Sequence, residues 1–103
     1  MKCFDVEFRK GILFVRLEGN IDNNNYLKEV NSIIENIGIK YIVLNIDKIK
    51  NFNVNDINNI VNYNNKILKE KKKMLICDNH KNRNNVFNSI PNIKSEIEAF
   101  PLV

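Results

Sequence analysis

The chain has no threonine, no glutamine and no tryptophan. Its 103 residues include only three glycines, two prolines, two cysteines and one histidine. Each shortage excludes a class of chemistry. Cys3 and Cys77 lie far apart in apolar, strand-like runs, and with His80 alone they make neither a disulfide framework nor a metal set. They read as buried, reduced thiols. Gly11, Gly19 and Gly38 fall at turns or element ends, so no glycine-rich loop is available to cradle a phosphate. The serines are Ser32, Ser89 and Ser95, none beside a histidine that could activate it. No apolar run approaches the ~18 residues of a membrane span. The opening Met1-Lys2-Cys3-Phe4-Asp5 lacks the apolar region of a secretory signal, so a cytoplasmic location is expected.

Asparagine, in contrast, fills roughly a fifth of the chain, and lysine and isoleucine are abundant. All three have A/T-rich codons. The asparagines are interleaved with regularly spaced apolar residues, so the bias reads as genome composition and not as a low-complexity tract. Hydrophobic residues make up 44% and charged residues 27%, with a formal net charge of +4. This suits one compact domain over residues 1–103, and its mildly basic balance demands no nucleic-acid partner.

The apolar spacing sets the elements. Phe4, Val6 and Phe8 alternate with Asp5 and Glu7 in a half-buried strand over Cys3–Phe8. Lys10-Gly11 makes a hairpin turn into Ile12–Leu17, whose nearly continuous apolar run suits a central strand. Asp22 to Asn25 offer N-caps for a helix carrying Tyr26, Leu27, Val30, Ile33, Ile34 and Ile37, with Gly38 just past its end. Tyr41–Ile46 is a buried strand, and a polar connection leads to a second helix with Ile57, Ile60, Val61, Ile67 and Leu68. Met74–Cys77 is a further strand. Val86, Phe87 and Ile90 suggest a short third helix stopped by Pro91, and Ser95 with Glu98 has capping-box spacing for a last one. The expected architecture is α/β in the order β-β-α-β-α-β-α-α. It is a mixed sheet of about four strands with three to four helices, parallel apart from the first strand.

Chemistry-bearing residues are sparse. His80 lies beside Asp78 and near Arg83 in the loop after Met74–Cys77, the end of a parallel strand where α/β sites form. One histidine with one aspartate is a thin basis for acid–base work, and a solvated loop is the simpler reading. Asp47 with Asp56, and Glu96 with Glu98, are explained by the attraction of helix starts for acids. Lys66, Lys69, Lys71, Lys72 and Lys73 gather at the end of the second helix, where cations offset the dipole. No aromatic side chains lie among them to stack on bases. No catalytic residue, cofactor site or metal site is expected.

From Gly11 to about Phe100 the pattern resembles a STAS domain, and within that family the bacterial anti-sigma factor antagonists. Ile12-Leu-Phe-Val-Arg-Leu-Glu-Gly19-Asn-Ile-Asp22 resembles the family's opening strand and turn. Tyr41-Ile-Val-Leu-Asn-Ile-Asp47-Lys-Ile-Lys-Asn-Phe-Asn53-Val-Asn-Asp56-Ile57 resembles the central strand, the switch loop and the second helix start, and Ser95–Phe100 the closing helix. The family's switch loop usually reads Asp-Ser-Ser-Gly or Asp-Ser-Thr-Gly, with one hydroxyl phosphorylated by a partner kinase. Here those positions are Asn53, Val54, Asn55 and Asp56, so the acceptor position is Asn55, which cannot form a phosphate ester. No hydroxyl residue of this kind stands between Ser32 and Ser89, and the family's central-strand Asp is Asn45.

The resemblance implies a non-catalytic interaction module that binds an anti-sigma factor of the serine-kinase type and so regulates sigma-factor-dependent transcription. The usual phosphorylation switch would be absent. The implied contact residues are Asn20, Asp22, Asn23, Asn53, Val54, Asn55, Asp56, Asn58 and Asn59. Asp56 either leaves the surface in its unphosphorylated, binding-competent state or imitates the phosphorylated, released one; the first is favoured because helix N-terminal amides can absorb one carboxylate. A second reading is a structural subunit of a transporter or stress-sensing complex, and a third is an enzyme or small-ligand binder using Asp78, His80 and Arg83. The edge strand Cys3–Phe8 also offers itself to a second copy of the chain.

Overall fold

A computed structural model of the chain describes residues 4–19, 25–49, 52–80, 86–87 and 89–103. The expectations that fall on Cys3, on Asn20, Asp22 and Asn23, and on Arg83 lie outside these residues.

The sheet begins with a hairpin. β1 (Phe4–Arg9) pairs antiparallel with β2 (Ile12–Gly19), Arg9 opposite Ile12. The two-residue turn has positive φ at both positions, 51° at Lys10 and 85° at Gly11, as the right-handed twist of a tight hairpin requires. From β2 the chain crosses through α1 (Asn25–Ile37) to β3 (Tyr41–Ile49), then through α2 (Val54–Lys69) to β4 (Lys73–Cys77). Both crossovers join parallel neighbours. β5 (Asn92–Ile93) adds a fifth, parallel strand, and a 3-10 helix over Glu96–Leu102 closes the chain. Strand order is β1-β2-β3-β4-β5. Because the order advances in one direction, crossovers of one hand put both helices on the same face.

The side chains follow that arrangement. Leu13, Val15 and Leu17 of β2, Ile42, Leu44 and Ile46 of β3, and Met74 and Ile76 of β4 pack against Val30 and Ile34 of α1 and Ile60, Tyr63 and Ile67 of α2. The alternate residues Ile12, Phe14, Val43, Leu75 and Cys77 face the other way, under Ile93, Ala99 and Phe100. The Tyr63 hydroxyl donates to Asn31 Oδ1 at 3.3 Å and ties the two helices. Burial pushes the Cys77 thiol up to about 12, so at neutral pH it is an inert core residue.

The mixed α/β sheet stands as expected, with differences of detail: β3 runs on to Ile49, past the expected end at Ile46, and the closing helix is 3-10. The third helix is a turn at Val86 and Phe87, with Ile90 N–H donating to Phe87 O; Phe87 and Ile90 still fill the core as the spacing demanded. Pro91 stands just before the unforeseen β5, where its missing N–H costs nothing because the bond there runs from Ile76 N–H to Pro91 O.

Both α-helices end in the same turn. In α1, Ile39 N–H reaches back to Ile34 O through Gly38 at φ 72°. In α2, Lys72 N–H reaches Ile67 O through Lys71 at φ 62°. A left-handed backbone costs an L-residue roughly 1–2 kcal/mol. Gly38→Ala should therefore lower stability by about 1 kcal/mol. Lys71→Gly should raise it by about 0.5 kcal/mol, the relief being partly offset by glycine's freedom in the unfolded chain. Shifts in the urea midpoint at constant slope read both.

Candidate functional site

The start of α2 is fixed from three sides. Phe52, just before the cap, meets Phe87 edge-on with ring centroids 5.8 Å apart. Asn53 Oδ1 accepts from Asp56 N–H at 2.8 Å, and Asp56 Oδ2 accepts in return from Asn53 N–H at 3.3 Å. This is a capping box with aspartate in the place of the usual glutamate. Phe52 and Ile57 occupy the flanking staple positions and both pack on the helix-side core. The cap turns Asp56 inward, at 8% exposure, and leaves Val54 71% exposed. Asn53, Asn55 and Asn58 are exposed and Asn59 is half-buried. The first turn of α2 thus presents a small apolar group among neutral amides, while its one carboxylate is used within the cap. Of the residues implied by sequence, the structure gathers Asn53 to Asn59 on this turn.

A second polar group lies on the opposite face, under the closing 3-10 helix. Arg16 of β2 forks onto Glu96, with Nε to Oε2 and Nη2 to Oε1 both at 2.8 Å. Its Nη2 also meets Glu7 Oε1 at 2.7 Å, and Nη1 meets Asp5 at 3.3 Å. Glu96 and then Glu7 hold the guanidinium proton more firmly than usual, and the Arg16 bonds hold the Glu96 carboxyl below its ordinary range. Asn45 Nδ2 donates to Glu96 Oε2 at 2.7 Å. Glu98 does not join its neighbour: its Oε2 accepts from Lys94 and Ser95 N–H at 2.6 and 3.1 Å, in the capping arrangement expected from the sequence.

β3 carries a bulge here. The register steps from Arg16 opposite Asn45 to Glu18 opposite Lys48, so β3 spends one more residue than β2. Asn45 Oδ1 accepts from Asp47 N–H at 3.0 Å, and Ile49 is turned back to the helix-side core. Asp47 stands beside the end of β4, where its Oδ1 accepts from Asn79 N–H at 3.0 Å and lies 3.3 Å from His80 Nδ1. His80 Nδ1 also meets Asp78 Oδ1 at 2.7 Å, and Asp78 is only 2% exposed. Carboxylate oxygens only accept, so Nδ1 carries the ring proton. Asp47, Asp78 and His80 place one candidate ligand atom each within 4.8 Å of one another. Sequence reasoning set Asp78 beside His80 but explained Asp47, like Asp56, as an acid drawn to a helix start. The bulge that re-aims Asp47 leaves no mark in hydrophobic periodicity. A pocket of about 230 Å³ opens alongside, lined by Asp5, Arg16, Glu18, Asn45, Asp47 and Lys48.

Two pH responses of opposite sign follow. Glu96 has a depressed folded-state pKa, so the stability from its Arg16 bonds is complete above the unfolded value of about 4.3 and is lost as pH falls through the folded one. Glu96→Gln should cost roughly 1–2 kcal/mol at pH 7, allowing for partial exposure, with a deficit that shrinks in acid. Asn45→Asp sets a second carboxylate against Glu96. It should also be destabilising at pH 7, by roughly 1–3 kcal/mol, but here protonation relieves repulsion, so acid should bring a net gain over its own stability at pH 7. Denaturant melts at pH 4 and pH 7 separate the two.

No protein-family model and no curated protein matches the sequence. Among solved structures, the solution NMR structure of the protein TM1081 superposes with a TM-score of 0.79 at 15% identity, covering 98% of this chain and 88% of that one. The crystal structure of an anti-sigma factor antagonist from Mycobacterium paratuberculosis gives a TM-score of 0.77 at 15% identity, covering 97% of this chain and 92% of that one. The fold is therefore STAS-like along nearly its whole length. Among the described residues, no helix is long and apolar enough to cross a membrane.

Proposed function

We propose that the chain is a non-catalytic interaction module acting as an anti-sigma factor antagonist. It would dock an anti-sigma factor of the serine-kinase type and so regulate sigma-factor-dependent transcription. The observation that carries this reading is the first turn of α2: Val54, Asn55 and Asn58 are exposed and uncharged, in a fold shared with an anti-sigma factor antagonist. Asn20, Asp22 and Asn23, in the connection before α1, would complete the contact.

The physics favours a surface that stays competent to bind. Phosphate on a serine at a helix start brings roughly −1.5 to −2 charges to an interface that must shed water. Asn55 has no hydroxyl to carry it. Asp56 supplies one charge, but its carboxylate accepts from the backbone of Asn53 and is buried, so it is a poor imitation of an exposed phosphate. The same loss of a phosphorylatable residue supports a second reading, a STAS-like structural subunit of a transporter or stress-sensing complex. Affinity capture from the native cell followed by identification of the bound protein separates the two.

The direct test is calorimetric titration of the chain with the anti-sigma factor kinases of its own cell. One should bind. Asn55→Glu and Val54→Asp should each weaken that complex at least about tenfold, equivalent to roughly 1.4 kcal/mol. Lys69→Glu, at the far end of α2, should not, and incubation with kinase and ATP should leave residues 53–56 unmodified. Failure of every such kinase to bind, or full affinity in Asn55→Glu, would overturn the proposal.

A further inference from the structure

The group formed by Asp47, Asp78 and His80 goes beyond a docking role. We infer that it is a binding site for one divalent transition-metal ion at the carboxyl ends of β3 and β4. His80 Nδ1 lies 2.7 Å from Asp78 Oδ1 and 3.3 Å from Asp47 Oδ1. Zinc holds nitrogen and carboxylate oxygen at about 2.0–2.2 Å, so tetrahedral ligand atoms stand about 3.4 Å apart. The Asp47 spacing already matches. The Asp78 spacing must open by about 0.7 Å, a movement available to His80, whose side chain is half exposed, while Asp78 stays in place.

Three features make this more than an acidic cluster. An imidazole nitrogen stands with the two carboxylates, a mixed donor set that suits zinc, cobalt or nickel better than magnesium or calcium. Asp78 is an almost fully buried carboxylate whose Oδ1 faces both the ring Nδ1 and the backbone N–H of His80, so its position is set by the fold. The bulge in β3 re-aims Asp47 toward the end of β4, and Asn45 accepts its N–H. His80 N–H and Asn79 N–H hold the two carboxylates through Asp78 Oδ1 and Asp47 Oδ1, so neither needs to be ordered by the ion. On binding, the ion takes the place of the Nδ1 proton, which moves to Nε2 as the neutral ring changes tautomer. Three protein ligands leave further coordination positions for water or for a side chain of a bound partner.

The test uses the full chain, stripped with chelator, in a Cys3→Ser background that removes a competing thiol. Zn2+ titrated calorimetrically should bind one to one and raise the melting temperature, and Mg2+ at equal concentration should not. Amide resonances of Asn79 and His80 should shift with the same saturation. His80→Asn and Asp47→Asn, both at partly exposed positions, should each weaken Zn2+ binding by about tenfold or more. Glu35→Gln on α1 should leave it unchanged. The inference is overturned if no saturable Zn2+ binding is found, if either ligand variant binds as the parent does, or if Zn2+ binds only when Cys3 is present.

Discussion

The two-pronged bond between Arg16 and Glu96 holds the second face of the sheet in place. The helix side is covered by two long amphipathic helices, but the other side is covered by a seven-residue 3-10 helix whose apolar contribution is mainly Ala99 and Phe100. Such a cover buries too little to fix its own position, and short 3-10 segments have weak internal hydrogen bonding. Arg16 supplies the missing definition. It reaches from β2 to Glu96 on the cover and to Asp5 and Glu7 on β1, while Asn45 of β3 secures the same carboxylate. Three strands and the closing segment are thus tied at one partly buried point, where charge-assisted hydrogen bonds keep more of their strength than at an open surface.

That point also governs the polar end of the sheet. Asn45 is fixed by Glu96 through its amide nitrogen, and its amide oxygen accepts from Asp47 N–H at the bulge. The bulge sends Ile49 back into the core and Asp47 outward to the end of β4. The position of Asp47 beside His80 is therefore inherited from Arg16 through Glu96 and Asn45. A change at Arg16 would be felt at Asp47 with no direct contact between them required.

Much of this fold was legible in the sequence because burial imposes periodicity. β2 and β3 read as apolar runs since both of their faces are covered, and α2 repeated its apolar residues at helical spacing. The hairpin and the end of α1 were marked by Gly11 and Gly38. The parts that escaped notice carry no period. β5 has two residues and is defined by its bonds to β4, and Val86, Phe87 and Ile90 satisfy a helical spacing while packing from a turn. Asp47 joined His80 only through a one-residue irregularity in β3. The start of α2 lay between these cases: its capping residues were plain, but whether Asp56 faces solvent or the helix was decided by the reciprocal bond to Asn53.

The asparagine-rich composition invites the view that each asparagine is interchangeable, and the contacts argue otherwise. Asn45 uses both halves of its amide, donating to a carboxylate and accepting from a backbone N–H. Aspartate cannot donate and leucine can do neither, so chemistry selects asparagine there. Asn53 uses only its oxygen, as a helix cap, and serine or aspartate would serve that bond about as well. Asn55 is exposed on the first turn, where the fold itself sets little requirement. If composition alone shaped the chain, the identity of Asn55 would carry no information. If a partner presses on the first turn of α2, Asn55 is constrained from outside the molecule as firmly as Asn45 is from within. The same residue type then answers to coding bias at one position, to the fold at another and to recognition at a third.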